Sequence, residues 1–320
     1  MPLPEIVDCA RAADQLGYDS VWMTEGNGGD PFSILTACAL ATENVRLGTD
    51  ITSVYVRSAP IIAMSAASVD HFSNGRFILG LGSSHRVQVI GQHGLTYTKP
   101  LSRVREYVEI IRRLLRNGSV SYEGELFQIE NFSLSFDPIR SEIPIFLAAV
   151  YPKMLGLCGE TAQGVILTQN TPEKAKEAAQ HVAAAAAESG RDPGQIEIAS
   201  LLTCDATPDA ALARQGVRHS LAYACGFYPR YSGFIGESGF QEEAAAIRAA
   251  WLDGDRDRAV RLVPDRMIDA LTIIGTTEQI ASRLDEHRAA GVTLPILTFR
   301  PGMENAKARV LETIRACSPA

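Results

Sequence analysis

VRLGTDITSVYVRSAPIIAMSAASVDHFSNGRFILGLGSSHRVQVIGQH, residues 45–93, holds two short apolar runs separated by an alanine-rich stretch. The runs, 45–49 and 76–82, have the length of buried strands. The segment 60–72 between them has helical spacing and a proline at its start. Strand, loop, helix, strand is the unit of a parallel sheet. Both strands end in small or polar residues, Thr49-Asp50-Ile51-Thr52 after the first and Gly82-Ser83-Ser84-His85 after the second. In parallel α/β folds chemistry gathers at the carboxyl ends of the strands. On these residues alone, an ordinary structural βαβ unit reads equally well.

The same beat runs outward in both directions. Upstream, 3–16 is an amphipathic helix stopped by Gly17, and 19–24 is a short strand entering Glu25 and a glycine-rich loop. Asp30-Pro31 then caps a helix reaching Thr42. Downstream, 103–116 is a strongly amphipathic helix, and 119–135 alternates about Glu123-Gly124 as an inserted β-hairpin does. Strands follow at 143–150, 164–168, 196–204 and 294–299, and helices start near Pro152, at Thr171-Pro172, at Thr276 and at Met303. The stretch 208–271 is mostly helical and is read as a second insertion, with an aromatic interruption at 227–240 that suits a lid, core packing or a dimer contact. Seven strands with following helices predict an α/β fold, a (β/α)8 TIM barrel whose first strand is missing from this chain, in a single domain over 1–320. An open doubly wound sheet is the competitor, but its G-x-G-x-x-G fingerprint is absent, since Gly80-Leu81-Gly82-Ser83-Ser84-His85 carries two glycines only.

Composition narrows the function. A formal charge of −7 argues against a nucleic-acid groove. No apolar run approaches the roughly 20 residues that span a bilayer, and the amino terminus has no signal-peptide pattern. Six scattered cysteines without a C-x-x-C pair read as buried thiols of a cytoplasmic protein. There is no phosphate-binding loop, no H-E-x-x-H and no histidine spacing for a metal, so no metal is expected. What remains is the rim: Glu25, Asp50, His85 and Thr168 each fall at or just past a strand's carboxyl end.

Several segments carry a resemblance. V-W-M-T-E-G (21–26), R-L-G-T-D-I (46–51), N-G-R-F-I-L-G-L-G-S-S-H (74–85), R-E-Y-V-E-I-I-R (105–112) and I-I-G-T-T-E-Q-I (273–280) look like the luciferase-like monooxygenase superfamily. More closely, they resemble its coenzyme F420-dependent branch, which includes methylenetetrahydromethanopterin reductase. The likeness covers nearly the whole chain and implies a barrel of the bacterial-luciferase type with insertions, the deazaflavin lying across the carboxyl rim.

Position by position, the resemblance implies a non-proline cis peptide at Asp50-Ile51 behind the ring and Glu25 near the ring's polar edge. It implies backbone near Gly82, Ser83 and Ser84, and near Ala148, Ala149 and Val150, beside the ring and its ribityl chain. Thr168, Asn170 and Thr171 would meet the phosphate, with Thr171 at a helix start that suits an anion. Two positions depart from a sugar-phosphate-oxidising relative. His85 stands where that enzyme has a glutamate acid, which leaves the acid/base work to His85 or to another residue, Glu25 being the second catalytic candidate. Thr171 stands where it has a phosphate-binding lysine, which leaves FMN open as the cofactor and makes Arg266 and Arg300 candidate compensating cations.

The expected activity is hydride transfer between coenzyme F420 and a small organic substrate. The alternatives are an FMN-dependent monooxygenase fed by a separate reductase, and a flavin-binding barrel without catalysis. The expected partners are a small-molecule substrate and a second copy of the chain in a homodimer, with neither nucleic acid nor membrane.

Overall fold

A computed structural model describes residues 1–207, 209–299 and 305–319. By its internal contacts the chain divides into two units: Pro2–Ile166 with His181–Ile196, and Leu167–Gln180 with Glu197–Ser318.

The first unit alternates helix and strand: α1 (Leu3–Gln15), β1 (Ser20–Met23), α2 (Pro31–Ala41), β2 (Arg46–Thr49), β3 (Thr52–Ser53), α3 (Ala59–Phe72), β4 (Phe77–Gly82), α4 (Arg86–Gly91), α5 (Pro100–Asn117), β5 (Ser119–Glu123), β6 (Gln128–Ser133), β7 (Ile145–Ala148), α6 (Pro152–Thr161) and β8 (Gly164–Leu167). Here β1, β2, β4, β7 and β8 lie side by side, all parallel, and β3 runs along the end of β4. β5 and β6 form a separate antiparallel pair.

Sequence explains the order. β4 is buried along its whole length, as a strand covered on both faces must be. Pro31, Pro60, Pro100 and Pro152 sit at helix starts, where a missing N–H costs nothing. Asp30 caps α2 by accepting from the Ser33 N–H at 2.8 Å. The turn into β2 is fixed by Asp14, whose carboxylate accepts the N–H groups of Glu43, Asn44 and Val45 at 2.7–2.9 Å. Burial pushes this carboxyl up, but the three donors and nearby Arg76 outweigh it and hold it below its ordinary range. Arg76 donates to the Ala39, Thr42 and Val45 carbonyls, closing the end of α2 over the start of β2.

The second unit begins with α7 (Pro172–Glu188), whose last turns belong to the first unit, and continues with β9 (Glu197–Ala206), α8 (Ala210–Phe227), α9 (Pro229–Ile235), α10 (Gln241–Leu252), α11 (Arg256–Arg261), α12 (Asp265–Leu271), β10 (Thr272–Gly275), α13 (Thr277–Ala289), β11 (Leu294–Thr298) and α14 (Ala306–Ala316). β9 pairs in parallel with β11 along its first half and with β10 at its end. Helices α8 to α12 enclose their own apolar cluster, which includes Leu221, Ile235, Phe240, Ile247 and Met267.

The α/β class and parallel sheet expected from sequence are present. To the seven strands read there the structure adds β3 and β10, each too short to show a period, and the helix α4. Within the aromatic stretch 227–240, Phe234, Ile235 and Phe240 are buried, and Phe227, Tyr228 and Tyr231 stack edge to face.

Candidate active site

Within the first unit, the loops leaving β1, β2, β4 and β7 meet at the carboxyl ends of adjacent parallel strands. Glu25, two residues past β1, has both carboxylate oxygens engaged. One accepts from Arg57 Nε at 2.5 Å and the other from the Ser53 N–H at 2.8 Å. Arg57 also pairs with Asp30, the cap of α2. Glu25 therefore ties the β1 loop to the β3 segment.

The Asp50-Ile51 peptide is cis, as the resemblance implied. The Asp50 N–H donates to the Met23 carbonyl at 2.8 Å, which holds this turn to the end of β1. The Asp50 side chain is buried, 8% exposed, and no partner for its carboxyl exists among the described residues. Burial pushes that carboxyl up to about 7, because a charge removed from water without a partner is strongly disfavoured. Next to it, Ile51 lies against the end of β4, where a side chain at Gly82 would put its Cβ 2.7 Å from Ile51 Cδ1 and 3.3 Å from Ala148 Cβ. Glycine at 82 is what leaves room for Ile51 and Ala148 beside it, and the three form an apolar wall there. Among the described residues, buried Thr52 Oγ1 has no hydrogen-bond partner. At the end of β7 the Ala149 N–H donates to the Ile166 carbonyl, and Val150 follows half-buried.

Past β4, Ser84 adopts a left-handed backbone with φ +51°. A non-glycine residue held there costs free energy and is common at functional loops. Ser83 Oγ accepts from the Tyr97 hydroxyl at 3.4 Å. Tyr97 stacks on Tyr55 with centroids 4.6 Å apart, and the Arg103 guanidinium lies 4.6 Å above Tyr55. His85 is the cap of α4, its carbonyl accepting from the Gln88 and Val89 N–H groups, and its side chain is half-buried. The first unit thus places Glu25, Asp50 and Ile51, Gly82 to His85, and Ala148 to Val150 at or just past the carboxyl ends of β1, β2, β4 and β7, with Ile51 and Ala148 both lying close to Gly82.

Thr168, Asn170 and Thr171 belong to the second unit. Gln169 between them is left-handed, φ +53°, a position that sequence reading missed. Asn170 is 3% exposed. Its Oδ1 accepts from Ser200 Oγ on β9 at 3.1 Å, while its Nδ2 has no partner among the described residues. The Thr171 hydroxyl is already engaged, accepting from the Lys174 N–H at 3.3 Å. A cleft of about 490 Å³ opens at this helix start, lined by Thr171, Glu173, Lys174, Glu237 and Arg283 among others. Lys174, one turn into α7, supplies a cation that the Thr171 position lacks, although it also pairs with Glu177 at 2.7 Å. Arg266 is engaged elsewhere, paired with Glu243 and 4.6 Å over the Phe240 ring. Arg300 lies outside the described residues. Among the described residues no group of three His, Cys, Asp or Glu is placed to hold a metal ion, and no helix is long and apolar enough to cross a membrane.

The model of the luciferase-like monooxygenase family matches residues 1–294. The chain belongs to this family. It is 32% identical over 295 residues to the 5,10-methylenetetrahydromethanopterin reductase of Methanolobus tindarius, covering 91% of this chain and 89% of that protein. To the reductase of the same name from Archaeoglobus fulgidus it is also 32% identical, covering 88% and 86%. Among solved structures, the coenzyme F420-dependent tetrahydromethanopterin reductase from Methanopyrus kandleri superposes with a TM-score of 0.87 at 25% identity, over 99% of this chain and 95% of that one. This luciferase-like chain therefore has the fold of an F420-dependent reductase over essentially its whole length.

Proposed function

We propose that this luciferase-like protein is an oxidoreductase that transfers a hydride between coenzyme F420 and a small organic substrate. The observation that carries the proposal is the apolar wall of Ile51, Gly82 and Ala148 with the unpartnered Asp50 carboxyl beside it, in a chain whose relatives are F420-dependent reductases. The residues present fit such a cofactor. The wall offers a planar ring an apolar face. Beside it in the first unit, buried Thr52 Oγ1 has no partner among the described residues and suits the ring's polar edge.

When bound, the deazaflavin supplies the hydride chemistry, and the protein supplies orientation and proton handling. Ile51 and Gly82 back one face of the ring. In the second unit, taken by itself, Asn170, the first N–H groups of α7 and the Lys174 ammonium would suit an anion such as a phosphate, since helix starts and cations both favour one. His85 and the Asp50 carboxyl exchange the proton that accompanies the hydride, Asp50 being suited to it by a value near neutrality. Glu25 acts as a positioning residue through Arg57 and Ser53.

Parallel titration with F420 and FMN tests this reading, followed by ligand absorbance and by the fluorescence of Trp22, whose ring lies 5.6 Å from Phe146. The expected result is micromolar F420 binding with FMN weaker by about tenfold or more, a difference of roughly 1.4 kcal/mol. Preference for FMN would replace the proposal with the reduced-flavin monooxygenase, and binding of neither would remove the cofactor site.

A further inference from the structure

We propose that the β5–β6 hairpin is a positioning part of the candidate site, its Phe127 holding Arg103 in a column of stacked groups that fixes segment 83–86. All of these residues lie in the first unit. β5 runs back along α5, so the tip of the hairpin returns to the start of that helix. The Arg113 guanidinium lies 5.2 Å from the Tyr122 ring centre, and the Tyr122 hydroxyl donates to Glu109 at 3.1 Å. Nearer the tip, Glu106 is 6% exposed, and its carboxylate accepts the Leu126 N–H at 3.0 Å and the Phe127 N–H at 3.2 Å. A Cβ at Gly124 would lie 2.5 Å from Glu106 Oε2, so this grip needs glycine there. Lys99, just before α5, pairs with Glu125.

What the tip carries is the half-buried Phe127. Its ring packs edge to face with Tyr107, centroids 5.1 Å apart, and lies 4.8 Å from the Arg103 guanidinium. The same guanidinium is 4.6 Å from the Tyr55 ring centre. Among the described residues no carboxylate pairs with Arg103, its Nε is buried without a hydrogen-bond partner, and its Nη1 reaches the Val54 carbonyl at 3.4 Å. The two rings, rather than an ion pair, therefore place this cation. Tyr55 in turn stacks on Tyr97 at 4.6 Å with planes 20° apart, and donates its hydroxyl to the Thr98 carbonyl at 2.7 Å. Tyr97 meets both ends of segment 83–86: its hydroxyl donates to Ser83 Oγ at 3.4 Å, and its carbonyl accepts from Arg86 Nη1 at 3.4 Å. Both bonds are long, so they hold the segment only while Tyr97 is fixed from behind by Tyr55 and Arg103. Between them Ser84 keeps its left-handed backbone, a conformation that its surroundings must enforce. A second arm runs from Tyr107, whose hydroxyl donates to the Arg57 carbonyl at 2.8 Å, and Arg57 pairs with Glu25. Phe127 supports both arms. That segment 83–86 borders a bound deazaflavin rests on the function proposed above.

Hydrogen–deuterium exchange of the full chain without ligand, read on peptides covering 83–89, tests the positioning, and F420 titration of the same proteins tests its use. Phe127→Ala should speed exchange over 83–89 by about tenfold while leaving α1 and α2 as in the parent. It should also weaken F420 binding several-fold, because binding must then order the segment. Phe127→Tyr should restore both. Arg103→Lys should behave as Phe127→Ala does, since an ammonium keeps the charge but not the flat stacking face. Exchange over 83–89 equal to the parent's in both Phe127→Ala and Arg103→Lys would overturn the proposal. So would acceleration spread evenly over β1, β2 and β4, which would mark the hairpin as packing alone. The expected exchange pattern in a protein that binds no F420 would keep the positioning and overturn the cofactor reading.

Discussion

An unpartnered carboxyl beside an apolar wall is costly, and Asp50 makes that cost measurable. Unfolded, the side chain titrates near 3.8, and folded near 7. The folded protein therefore holds this proton to higher pH than the unfolded chain does. Stability is greatest below 3.8, falls as the pH rises through this window and levels off above 7, a total on the order of 4 kcal/mol. Asp50→Asn keeps the shape and removes the titration, so its melting temperature should exceed that of the parent at pH 8 and match it near pH 4. The same substitution should lower turnover with reduced F420 by roughly 10²- to 10⁴-fold while F420 binding persists. Unchanged turnover, with loss only on substitution of His85, would move the proton transfer to His85. Sequence showed that an acid ends this strand. It did not show that the carboxyl has no partner, because burial without a partner is a property of everything packed around a residue.

Two glycines of β4 separate what holds the strand from what shapes the site. A Cβ at Gly80 would lie 1.8 Å from the Thr49 carbonyl oxygen, a backbone atom that cannot yield without parting β2 from β4. At Gly82 the clash is with the mobile end of Ile51. Gly80→Ala should therefore cost several kcal/mol and show as loss of soluble protein. Gly82→Ala should fold, melt within a few degrees of the parent, and bind F420 more weakly because Ile51 is displaced. Equal effects on melting would show that Ile51 has no room to move.

Most elements were legible where composition and period agree. Asp30-Pro31 announces α2, and Thr276 with Gln279 forms the capping box of α13. β10 escaped notice because four residues, Thr272–Gly275, have no period of their own and become a strand through pairing with the end of β9. The engaged Thr171 hydroxyl and the free Asn170 amide are adjacent polar residues in the sequence. Only the local backbone, with Gln169 left-handed before them, decides which of them remains available.

Over the whole molecule, two buried groups of opposite sign shape the pH response. His287 on α13 is 2% exposed with Nδ1 unpartnered, and burial with nearby Arg283 pulls it down from 6.5 to about 4. Its unfolded form takes a proton near 6.5 that the folded form refuses until about 4. Its contribution is therefore full above 6.5 and lost as the pH falls to 4, the reverse of Asp50. Asp50 lies in the first unit and His287 in the second. We propose that the chain unfolds as a single domain, α7 contributing residues to both units. In one cooperative transition the two slopes oppose each other, and the melting temperature should change little between pH 4.5 and 6.5, values set by these two windows. Asp50→Asn should expose a melting temperature that rises with pH over that range, and His287→Gln one that falls. Scanning calorimetry of the three proteins checks this. A single peak with the two opposed slopes supports one domain. Two peaks in the parent protein, one moving down and one up as the pH rises, would show two domains melting separately, each carrying its own buried proton site.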